Sequence, residues 1–342
     1  MSSKKHLTQL ALVTVASLLA AVAAPKTKDT KAAKKPATGV QTPGVQIPFA
    51  SLKPEAEIKL EAVPAGIAFT TDIFIAAGDA VLRVDPKTNK PGEKPVDKMA
   101  GIGNACGGLL NALSNLWTVN CATKTLAKLD AKTGKTAAST DAGAVTAPAA
   151  LAASTDSIWL LADNKTTLLR VDPKEHKPVA EVRLPAACSG ILFAETSIWV
   201  TCPSVDKVLR IDPQTNLVTK RIDVPGQPWA VAFGEAHVWV LTQKEGKVAQ
   251  IDPKTDKLAA TMELNIPNAA GSIAFGDGSV WVSAPGFPVM RINPATAKVV
   301  QQFAGEGAGL IASGLGSVWL INPAGKTVTR FDPKRIVATL AE

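Results

Sequence analysis

Beyond its first two dozen residues the sequence has no run of about eighteen unbroken apolar residues, so no later segment is expected to cross a membrane as a helix. It also lacks a nucleophile elbow, a phosphate-binding loop and a metalloprotease His-Glu-x-x-His pair, which removes the mechanisms those motifs position. Histidine is scarce: of three, His6 lies just before the N-terminal apolar stretch, leaving His176 and His237 for the rest of the chain. A surplus of one charge is missing from most of the chain too. Residues 1–60 hold nine Lys and three acids, which leaves 28 bases against 26 acids for everything after them. A nucleic-acid partner needs a basic patch on the folded surface, and none is expected here.

The N-terminus carries Lys4 and Lys5 and an apolar stretch from Leu7 to Ala23 that ends in small residues. This is the pattern of a secretory signal peptide over residues 1–23, with no Cys near the cut to mark a lipoprotein. Residues 24–55, rich in Lys, Ala, Pro and Thr, read as a flexible linker whose charge is either simply solvated or a weak attachment to an anionic surface. The product is expected in the periplasm or outside the cell, as a monomer.

From residue 56 onward a turn recurs at Asp85-Pro86, Asp130-Ala131, Asp172-Pro173, Asp212-Pro213, Asp252-Pro253, Asn293-Pro294 and Asp332-Pro333, in steps of 45, 42, 40, 40, 41 and 39 residues. An aromatic residue precedes each turn by 11 to 13 positions: Phe74, Trp117, Trp159, Trp199, Trp239, Trp281 and Trp319. Four short strands fit in each unit. Seven such units define an all-β fold, a seven-bladed β-propeller of four-stranded antiparallel blades over residues 56–342. The acidic turn residues are turn formers, because Asp accepts backbone N–H groups and Pro presets φ.

Counting outward from each hairpin centre places a base directly across from each aromatic: Arg83, Lys128, Arg170, Arg210, Arg291 and Arg330, with Gln250 in the fifth unit. The stacked cations should form an inter-blade ladder. Two strands, Glu57–Glu61 and Ile336–Leu340, compete to complete the last blade. Cys106 and Cys188 lie at inner-strand entries and Cys121 and Cys202 just after the aromatic strand, so the pairs Cys106–Cys121 and Cys188–Cys202 meet across hairpins as disulfides.

The segments Gly278-Ser279-Val280-Trp281-Val282 and Gly316-Ser317-Val318-Trp319-Leu320, with Arg-Ile-Asp-Pro-x-Thr turns, resemble the YVTN and NHL-like propellers. Across residues 57–342 the repeat is most similar to that of streptogramin (virginiamycin B) lyase-like proteins. That resemblance implies a divalent metal held by His and Glu at the channel mouth. The seven inner-strand entries, Pro64-Ala65, Cys106-Gly107, Pro148-Ala149, Cys188-Ser189, Pro228-Trp229, Ala270-Gly271 and Ala308-Gly309, supply no imidazole. The chain is therefore read first as a module binding a small molecule or a protein, without a cofactor. A metal-dependent lyase or lactonase using a divalent cation is the alternative. No catalytic or metal-ligating residue is assigned.

Trp229 breaks the repeat, since the other six units carry a small residue there. It either fills a local gap or contacts a ligand. Asn104, Asn120, Asp163, Gln243, Phe287 and Asn322 come from loops expected to converge on the same rim and complete the candidate ligand-binding set.

Overall fold

The computed structural model describes residues 38–340 apart from Asn104, Pro267 and Ala269. The expected signal peptide and residues 24–37 of the expected linker lie outside that range. Blade 4 shows the unit: strands Ile191–Ala194, Ser197–Cys202, Lys207–Asp212 and Leu217–Asp223 pair antiparallel from the channel outward. Seven sheets repeat this order around the ring. Their inner strands are Pro64–Phe69, Ala105–Ala112, Leu151–Ala153, Ile191–Ala194, Pro228–Gly234, Ser272–Gly276 and Leu310–Gly314.

The second strand of each blade is the most apolar, and it is buried. All six repeat tryptophans have no exposed surface, and Phe74 in blade 1 has 1%. A buried indole N–H needs an acceptor, and each finds one at the end of its own first hairpin. Trp199 donates to the Ala194 carbonyl (3.0 Å), Trp239 to that of Gly234 (2.9 Å) and Trp159 to the Ser154 hydroxyl (3.0 Å).

The register places Trp199 opposite Arg210 and Phe74 opposite Arg83, and the other five pairs follow the same count. In four blades the cation lies over the ring, at 5.6 Å for Lys128, 5.4 Å for Arg170, 5.1 Å for Arg210 and 5.3 Å for Arg330. These four bases also cross to the next blade's turn. Lys128 donates to the Pro173 carbonyl, Arg170 to that of Pro213, Arg210 to that of Pro253 and Arg330 to that of Pro86. The ladder is thus real but incomplete. In blade 5, Gln250 replaces the base and His237 replaces the Ser that accepts the Arg Nε elsewhere. In blade 1, Arg83 turns onto Asp72 at 2.6 Å.

The turn carboxylates behave as turn formers. Backbone N–H groups of Lys132 and Thr133 hold the Asp130 carboxyl below the ordinary carboxylate range, and Gln214 does the same for Asp212.

The last blade is completed from the other end of the described chain. Ala56–Lys59 pairs antiparallel with Thr327–Phe331, Ile58 facing Val328. The competing segment does not form the expected outer strand. Asp332 caps a short helix, Pro333–Ala338, by accepting the Lys334 N–H, and Pro333 supplies the first-turn φ. This seventh Asp-Pro therefore starts a helix rather than a hairpin.

Residues 38–55, read from the sequence as linker, are not free chain. Gln46–Pro48 adds a parallel fifth strand to the outer strand of blade 6, Lys298–Ala304. Fully buried Gln302 accepts the Val40 N–H (2.7 Å) and donates to the Leu264 carbonyl (3.0 Å). Leu52 then enters the core between blades 6 and 7 beside Trp281, Phe331 and Ile336. The composition hid this because the anchoring groups are few: one strand of three residues, one Phe and one Leu.

Both cysteine pairs are joined as expected, Cys106 to Cys121 and Cys188 to Cys202. Non-reducing peptide mapping of the protein produced in an oxidising compartment should recover these two links. Crossed pairs would overturn the hairpin register.

Candidate functional site at the channel mouth

Antiparallel order puts the entry of every inner strand, the connection between second and third strands and the crossover from the previous blade on one face. Trp229 sits on this face at a bulge. Pro228 pairs with Thr242 and Ala230 with Leu241, so Trp229 has no partner across the hairpin. Blade 1 has the same irregularity, with Ala65 in the unpaired place. A bulge re-aims the side chain that occupies it.

The backbone of Trp229 is fixed from blade 4. Its carbonyl accepts the hydroxyls of Ser189 (2.6 Å) and Thr201 (2.9 Å). Gly190 permits the approach, because a Cβ there would meet the Trp229 oxygen at 2.9 Å and the Thr201 hydroxyl at 2.8 Å. The ring itself is half-buried and belongs to none of the buried apolar clusters. Its indole N–H, unlike those of the six core tryptophans, bonds to no described residue.

The other expected rim residues divide. Gln243 joins Trp229 in blade 5, donating to the Gln227 side chain at 3.2 Å. Asp163 is exposed, and its carboxylate bonds to no described residue. Asn322 is half-buried and closes its own turn by accepting the Gly325 N–H (3.0 Å). Asn120 is 4% exposed, with its amide on the Ile102 carbonyl and its oxygen on the N–H groups of Ala122 and Thr123, so it holds two loops together rather than facing solvent. Phe287 is 1% exposed within the core between blades 5 and 6. The turn of blade 6 is only Pro285-Gly286, which leaves Phe287 inside the strand Phe287–Asn293 instead of the loop. Asn104 lies outside the described residues. Ser189 and Thr201, which position Trp229, were not among the expected residues; only the cross-blade contact reveals them.

None of the seven inner strands contains Asp, Glu, His, Lys or Arg. Among the described residues, no three His, Cys, Asp or Glu side chains group to hold a metal ion. The donor set that a mouth-bound divalent cation requires does not fit these residues. His237 starts a second strand on the opposite face, its Nδ1 2.6 Å from the Glu235 carbonyl oxygen, and His176 lies in an outer turn. A cavity of about 690 Å³ also opens on that opposite face, between blades 1 and 2, lined by Asp72, Arg83, Asn111, Asp130 and Lys132. It lies where the ladder rung from Arg83 is missing.

No protein-family model matches the chain, and no curated protein does. Among solved structures it is similar to a streptogramin B lyase, with TM-score 0.65 and 17% identity over 80% of this chain and 96% of that one. A hydrazine synthase structure from Kuenenia stuttgartiensis matches at TM-score 0.58 and 15% identity, over 67% of this chain and 76% of the other. At these identities the shared property is the fold, a seven-bladed propeller with the lyase-like repeat.

Proposed function

We propose that the protein is an exported binding propeller whose channel mouth, around Trp229 and Gln243, takes a small molecule or a protein segment. The observation that carries this reading is the treatment of Trp229. Its backbone is fixed by two hydroxyls of the neighbouring blade, while its ring stays outside the core. A backbone fixed before binding leaves only the side-chain torsions to be ordered on contact, and Trp is a favoured anchor residue. The uncharged channel wall supports binding over a reaction needing acid, base or metal. Export rests on the N-terminal leader pattern and the two disulfides.

Acrylamide quenching tests the accessibility of the ring. Trp229 should account for nearly all quenchable emission, since the other six tryptophans have no exposed surface. Trp229→Phe should remove that fraction. A thermal-shift screen against metals, sugars, lactones and peptides then tests function. Trp229→Ala should shift stability by less than about 1 kcal/mol and abolish the response to whichever compound stabilises the parent. A loss of about 3 to 5 kcal/mol, as for a buried Trp, with binding intact in the folded fraction, would refute the proposal.

A further inference from the structure

Lys165 lies on the mouth face, in the connection between the second and third strands of blade 3. Asp163, Asn164 and Lys165 all adopt left-handed backbone, at φ 47°, 55° and 69°. Asp and Asn enter this region more readily than other non-Gly residues, which leaves Lys165 the costly member of the run. Here the Asn164 N–H donates to the Ala144 carbonyl (3.1 Å) and the Thr166 N–H to that of Asp163 (3.2 Å).

The Lys165 side chain is half-buried. Among the described residues no carboxylate lies within ion-pair distance of it, although Lys207 and Lys247 on the same face both have partners. Burial alone pushes its ammonium below the ordinary lysine value, with no neighbouring charge to offset the effect. A cation partly withdrawn from water without a counter-charge destabilises the fold. Such an arrangement is expected where a ligand supplies the missing charge.

Lys165 is also tied to Trp229. Its carbonyl accepts the Cys188 N–H (2.9 Å), and the next residue, Ser189, donates to the Trp229 carbonyl (2.6 Å). Cys188 is itself fixed by its disulfide to Cys202. The intervening residues are thus tied at both Cys188 and Ser189. The inner strands of blades 3, 4 and 5 carry no charge, so the half-buried Lys165 is joined through Cys188 and Ser189 to the backbone of Trp229 along an uncharged stretch of the channel wall.

We infer that the sector of the mouth formed by blades 3 to 5 binds an anion carried on an apolar or aromatic body. Trp229 supplies the apolar contact and Lys165 the counter-charge for a carboxylate, sulfonate or phosphate. This rests on the reading of the mouth as a binding face.

The test uses two probes of similar shape, the anionic 1-anilinonaphthalene-8-sulfonate and the neutral N-phenyl-1-naphthylamine, each titrated into the exported chain. Lys165→Met should weaken the sulfonate about tenfold and leave the neutral probe unchanged. Lys165→Arg, which keeps the charge, should hold sulfonate affinity within about twofold. Trp229→Ala should weaken both probes, and Lys244→Met, at an exposed lysine on the same face, neither. Because the buried charge is removed, Lys165→Met should melt no lower than the parent. If Trp229→Ala weakens both probes but Lys165→Met changes neither, the anion class is wrong and the binding face stands. Absence of saturable binding, or indifference of both probes to Trp229, overturns both readings.

Discussion

Deleting residues 55–61 should leave a protein that is largely unfolded or melts far below the parent. The strand Ala56–Lys59 is the outer strand of the last blade, and Ile58, 3% exposed, packs with Ile73, Ile75, Trp319 and Val328 across the junction of blades 7 and 1. Glu55 adds an ion pair to Arg330 at 3.2 Å. Burial of one Ile at about 2 kcal/mol, with several backbone hydrogen bonds at about 1 kcal/mol each, gives a loss of about 5 kcal/mol. That is comparable to the whole stability of many domains. Urea denaturation followed by circular dichroism measures it. Ile58→Ala isolates the side-chain share, about 2 to 4 kcal/mol. An unchanged melting temperature in the deletion would mean that the last blade closes some other way.

Arg210→Ala should cost about 4 kcal/mol, whereas Gln250→Ala, at the equivalent place in blade 5, should cost under about 1 kcal/mol. Arg210 lies 5.1 Å from the Trp199 ring centroid and donates to Ser197, to the Pro253 carbonyl and to the Asp256 carboxylate at 2.7 Å. The stack is worth about 0.5 to 2 kcal/mol, and charged hydrogen bonds about 1.5 to 3 kcal/mol. Asp256, left beside the gap, would keep only the distant Lys220 at 3.8 Å. Among the described residues Gln250 makes no cross-blade hydrogen bond that the change would remove. Equal costs at the two positions would mean that the cross-blade contacts add nothing beyond packing.

Much of the ring was legible because its devices are local. Asp-Pro turns mark the repeat, and within each unit the pairing of Trp199 with Arg210 follows by counting from the Pro203–Asp206 turn, and that of Cys188 with Cys202 from the hairpin of the first two strands. What was not legible depends on distant groups. Whether Arg83 would reach the next blade was decided by Asp72, which captures it. Whether Phe287 would face the mouth was decided by a turn two residues long. Asn120 looked like a rim residue until the Ile102 carbonyl and its own loop engaged its amide. Trp229 stood out because a repeat makes an exception visible. Lys165 did not, since a lysine in a loop has no signature until its burial and the lack of an ion-pair partner among the described residues are seen together.

The fifth strand on blade 6 has a consequence for solubility. The outer strands of blades 2 to 5 are dotted with charge, as in Lys177–Arg183 and Leu217–Asp223, which discourages pairing with another molecule. The outer strand of blade 6 reads Lys-Val-Val-Gln-Gln-Phe-Ala and has one charge, at its first residue. A short segment of β-branched, amide and aromatic residues with so little charge is the kind that stacks into aggregates. Gln46–Pro48 lies along that edge. Its pairing covers the last three residues of that edge, Gln302 to Ala304, so a chain shortened past this segment is expected to aggregate more readily than the parent even where its blades still fold.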